Sequence, residues 1–72
     1  MEAKKMFEKL DMEQECFNDV ISYHFKNDPD YPFGYFAFII FEPKHRNWRT
    51  NIKNLKKYDK AISQQMKELG WL

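Results

Sequence analysis

One cysteine, two glycines and no long apolar run set the outer limits on this chain of 72 residues. The lone thiol, Cys16, excludes an intramolecular disulfide and suits a reducing compartment better than secretion. A structural zinc takes about four ligands. Cys16, His24 and His45 are too few and too scattered to supply them. Gly34 and Gly70 are the only glycines, so the chain has no glycine-rich phosphate loop. The longest apolar stretch, residues 35–41, is far short of the roughly 20 residues that cross a bilayer. Glu2 and Glu8 interrupt the first ten residues, which do not read as a signal peptide. The expectation is a cytoplasmic protein with no membrane association and no cofactor.

The length allows one domain, residues 1–72, with no room for a second core. So short a chain buries only roughly 60% of the surface its unfolded form exposes, and its stability is marginal unless something adds to it. With disulfide and metal set aside, self-association is the remaining support.

The net charge of +1 hides an asymmetry. Residues 1–43 hold four lysines against nine acids, a balance of −5. Residues 44–72 hold eight cations against Asp59 and Glu68, a balance of +6. The two halves attract one another, within a chain or between chains.

Ala3, Met6, Phe7 and Leu10 fall at helical spacing and predict a short N-terminal helix that must dock on something. The acidic, aperiodic residues 11–18 read as a connector. From Asp19 to Lys26 the period changes to two, with Ile21, Tyr23 and Phe25 on one face of a strand. Two prolines among residues 27–32 mark a loop. Residues 34–42 are apolar on both faces, as in a central strand covered on both sides. A turn follows at residues 43–47, then a more polar third strand on Trp48, Thr50 and Ile52, with Arg49 and Asn51 facing out. Asn54 fits the N-cap of a helix over residues 54–69, whose apolar stripe is Leu55, Tyr58, Ile62, Met66 and Leu69. Gly70 fits the left-handed position of a Schellman motif, with Trp71 packing back on Met66.

The fold class is therefore α+β: a short N-terminal helix, a three-stranded antiparallel sheet and a C-terminal helix. Two helices cover one face of such a sheet, and a second copy would cover the other. The expected dimer-interface residues are Phe36, Phe38 and Ile40, or the opposite face of the same strand. The alternative places one helix on each face and leaves a monomer.

No catalytic constellation emerges. His24 and His45 read as solvated surface residues with no nucleophile arranged around them. Cys16 lies among carboxylates, which repel the thiolate a nucleophile needs, and reads as a partly buried filler. Asp28, Asp30 and Glu42 match no calcium loop. One cluster remains, basic and aromatic: Lys44, Arg46, Trp48, Arg49, Lys53, Lys56 and Lys57, with His45, Tyr58 and Lys60 beside them. If a turn, a strand and a helix start display it together, its cations would neutralise phosphates and Trp48 would stack on a base. In the rival arrangement the cluster faces the acidic half of a partner subunit and Trp48 joins the core.

The opening, Met1-Glu2-Ala3-Lys4-Lys5-Met6-Phe7-Glu8-Lys9-Leu10, and the ending, Met66-Lys67-Glu68-Leu69-Gly70-Trp71-Leu72, resemble those of short phage and prophage proteins of low-GC Gram-positive bacteria, the YopT-type family among them. The resemblance covers the two ends and the order of elements. It implies a phage-derived accessory protein that is a homodimer, and it carries no functional residue. A host or phage protein is the partner it implies.

Overall fold

The computed structural model describes residues 1–25 and 37–72. The expected loop over 27–32, with Asp28 and Asp30, lies outside the described residues. So does the expected start of the central strand at 34–36, including the interface residue Phe36. The elements run α1 (Ala3–Glu8), β1 (Met12–Phe17), β2 (Val20–Phe25), β3 (Phe38–Glu42), β4 (Asn47–Thr50) and α2 (Asp59–Glu68), with 3-10 turns at Pro43–His45 and Lys56–Tyr58. The class is α+β, and the strands form one antiparallel meander in the order β1-β2-β3-β4.

The sheet has four strands among the described residues, one more than the sequence predicts. The extra one is β1, which the reading of 11–18 as a connector missed. Its core-side residues are Met12, Gln14 and Cys16, so only Met12 gives an apolar signal. The other side carries Glu13 and Glu15, as befits an edge strand protected by charge. The β1–β2 connection is a two-residue turn. Asn18 and Asp19 have φ of 49° and 63°, the left-handed pair that a type I′ hairpin requires. Asp11, with φ of 66°, turns the chain from α1 into β1.

Both helices lie on one face of the sheet. Ala3 and Phe7 of α1 share a buried cluster with Tyr58, Ala61 and Ile62 and with Met12, Tyr23, Ile39 and Phe41 of the sheet. Aromatic rings form its centre: Phe7 stacks on Tyr23 at 3.8 Å between centroids, and Phe41 meets Tyr23 edge-on at 6.1 Å. Trp48 lies against the outer side of Phe41 at 6.1 Å, and Trp71 lies near it at 6.3 Å.

The C-terminal helix begins later than expected, with a 3-10 turn at Lys56–Tyr58 before Asp59. Asn54 Oδ1 still accepts a hydrogen bond from the Lys56 amide at 3.3 Å. The Schellman motif forms as predicted. Gly70 is left-handed at φ 76°, the Trp71 amide donates to Met66 O at 2.9 Å and the Gly70 amide to Lys67 O at 3.0 Å. Strand β4 stops at Thr50, before Ile52, because side chains take over the ladder there. Thr50 Oγ1 donates to Phe38 O at 2.6 Å, and Asn51 Oδ1 accepts from the Phe38 amide at 2.9 Å.

Candidate functional site

Alternation along the strands sends Met12, Tyr23, Ile39 and Phe41 to the helices and their neighbours to the opposite face. The pairing register places those neighbours in rows across the sheet. One row runs Glu15, Ser22, Ile40, Arg49, and the next runs Glu13, His24, Phe38. At the hairpin end, Phe17 pairs with Val20. No helix of the described residues covers this face. Phe38 and Ile40 are half-buried there, and Phe17 is 73% exposed.

Two pairs of titratable side chains are tied together on this face. His24 Nε2 lies 3.2 Å from Glu15 Oε2, and Arg49 Nε lies 3.5 Å from Glu42 Oε1. His24 is buried, contrary to its reading as a solvated residue; it lies between its cross-strand neighbours Glu13 and Phe38, and its Nε2 bonds Glu15. His45 is exposed in the turn after β3. Cys16 is exposed near the end of edge strand β1, not a partly buried filler.

The basic cluster does not share one surface. Trp48 and Arg49 are consecutive in β4 and point to opposite faces: Trp48 packs on Phe41, while Arg49 lies with Glu42 on the helix-free face. Lys44 and Arg46 sit in the turn between β3 and β4, where Lys44 Nζ lies 3.1 Å from Asp19 Oδ2. Lys53, Lys56 and Lys57 are exposed in the segment leading into α2. Tyr58 is in the core, with Lys57 Nζ 5.8 Å above its ring. The attraction between the acidic and basic halves is thus met in part within one chain, by Lys44 with Asp19.

Three polar side chains on the helix side of the sheet form a network. The Tyr23 hydroxyl donates to Gln65 Oε1 and accepts from Gln14 Nε2 at 2.9 Å. Burial pushes Tyr23 up to about 12; the Gln14 hydrogen bond works against that rise and the carboxylate of Glu68 adds to it. Burial also raises Tyr58, with the Asp11 carboxylate contributing. Both phenols are neutral at physiological pH, and this network braces the core. Among the described residues no three His, Cys, Asp or Glu side chains converge as metal ligands. No helix among them is long and apolar enough to cross a membrane.

Compared with protein-family models, with curated proteins and with solved structures, the chain finds no match in any of the three.

Sequence reasoning picked out Phe38 and Ile40 on the helix-free face and missed Phe17, Val20, Glu15 and His24 beside them. The available signal was the Asn18-Asp19 dipeptide, whose residue types tolerate left-handed backbone and so mark a hairpin.

Proposed function

We propose that this chain is a non-enzymatic binding protein that acts as a homodimer, two copies meeting through the sheet face opposite the helices. The observation that carries this reading is that both helices pack on one face, while Phe17, Val20, Phe38 and Ile40 lie on the other, with no helix of the described residues above them. An apolar patch on a small domain with a marginal core gains from a second copy twice: it leaves water, and it enlarges the buried area of each chain. A phage-type accessory role with a macromolecular partner rests on the resemblance of residues 1–10 and 66–72 to prophage proteins.

The alternative, a nucleic-acid module, requires Trp48 free to stack beside cations on a shared surface. The packing of Trp48 on Phe41 and the opposite facing of Arg49 support the dimer reading over it. Light scattering on a size-exclusion column tests the proposal. A mass near twice 8.9 kDa is expected for the wild type, and a folded monomer for Ile40→Asp and for Phe38→Asp. If both variants keep the wild-type mass and circular dichroism, this face is not the interface.

A further inference from the structure

We infer that the two copies meet about a two-fold axis parallel to the strands, so that Glu15 of each copy faces Arg49 of the partner subunit. This rests on the reading of the helix-free face as the self-association surface, and it adds the geometry of the contact. Two exposed acids of the face, Glu13 and Glu15, belong to edge strand β1, and its exposed arginine, Arg49, to edge strand β4 at the other side of the sheet. Glu15 and Arg49 are the two ends of a single cross-sheet row, with Ser22 and Ile40 between them.

A sheet can be laid on its own copy about an in-plane axis in two simple ways. With the axis across the strands, each strand covers its own counterpart. Glu13 and Glu15 then face the same acids, and Arg49 faces Arg49. Like charges so placed oppose association. With the axis along the strands, β1 covers the partner's β4. The row then meets itself reversed, Glu15 against Arg49 and Ile40 against Ser22, and symmetry makes each contact twice. The Glu15 side chain is 55% exposed and that of Arg49 64%, so both reach beyond the sheet surface while keeping their contacts to His24 and Glu42.

Edge-to-edge pairing through β1 is another route, and like charge opposes it. Two antiparallel β1 edges in a two-fold pairing set Glu13 opposite Glu15, or Glu15 opposite itself.

The test uses charge reversal and mixing. Glu15→Arg leaves cations at both ends of the row, and Arg49→Glu leaves acids at both ends. Each variant alone should repel its own copy and weaken self-association about tenfold or more in Kd. An equimolar mixture of the two should regain the wild-type mass as a heterodimer, because every crossed pair is again attractive. The measurement is a dilution series by light scattering, with circular dichroism to verify folding. Should either reversal unfold the chain, Glu15→Gln and Arg49→Gln serve instead, and each should abolish part of the salt dependence of the dimer. Variants that dimerise like the wild type, with unchanged salt dependence, overturn the proposed axis. If Ile40→Asp still dissociates under those conditions, the face reading survives alone. A wild type that is monomeric at every concentration overturns both.

Discussion

Glu68 Oε2 accepts a hydrogen bond from the Ala3 amide at 2.7 Å, joining the last residue of α2 to the first of α1 across 65 positions of sequence. Helix α1 has no side-chain cap of its own, so this carboxylate satisfies one of its orphan amides and sits at the positive end of its dipole. Gln64 Nε2 steadies the same oxygen at 2.9 Å. Replacing Glu68 by Ala should cost about 1 kcal/mol, the usual effect of losing a cap. Glu68→Gln should cost less, since the amide oxygen still accepts. Urea unfolding of the three proteins measures the order.

Tyr23→Phe should destabilise by about 1–3 kcal/mol, because Gln65 is buried and loses the donor to its side-chain oxygen. Pairing it with Gln65→Met removes the stranded acceptor. The double variant should therefore recover part of the loss, and the double-mutant cycle should show coupling between the two sites.

Alkaline pH should unfold the protein through the same residue. An unfolded tyrosine ionises near 10 and Tyr23 near 12, so the folded chain holds its proton more tightly. The resulting stability, on the order of 2–3 kcal/mol, is fully present below pH 10 and lost as the pH rises to about 12. Tyr58 shifts in the same direction and adds to the loss. Unfolding midpoints measured between neutral pH and pH 12 should fall across that window, and less steeply in Tyr23→Phe.

Asp19→Gly should raise stability by about 0.5–1 kcal/mol. The substitution relieves a left-handed aspartate at φ 63° and creates the Asn-Gly pair that type I′ turns prefer. It also removes the Asp19–Lys44 ion pair, but both side chains are exposed and such pairs contribute little. A thermal midpoint lower than that of the wild type would mean that the ion pair outweighs the backbone.

Gly70→Ala should cost about 1 kcal/mol through backbone conformation alone. The residue has φ 76°, yet an added Cβ would meet nothing within 4 Å. Gly70→Asn should cost less than alanine, since asparagine tolerates left-handed backbone. Equal losses for the two would show that side-chain bulk, and not φ, sets the penalty.

Several elements were legible in the sequence because their signals are local. The stripe of Ala3, Met6, Phe7 and Leu10 places α1 and its buried side, and Gly70 with Trp71 places the end of α2. Strand β1 was hidden because an edge strand need bury little, and its core side holds Gln14 and Cys16 beside Met12. The burial of His24 was hidden for a different reason. Its hydrogen-bond partner Glu15 lies on a strand the sequence did not announce.

What the sequence determined by itself is the set of amphipathic pieces: two helices, an alternating strand and an apolar strand, with the turn that follows the apolar one. Periodicity and turn chemistry are written in neighbouring residues, and they act before the chain has a tertiary structure. Only the tertiary structure decided that both helices share one face, that Trp48 and Arg49 part to opposite sides, and that Glu15 and Arg49 end one row. Those relations depend on cross-strand register, which is chosen by the burial of Tyr23, Ile39 and Phe41 together rather than by any segment alone.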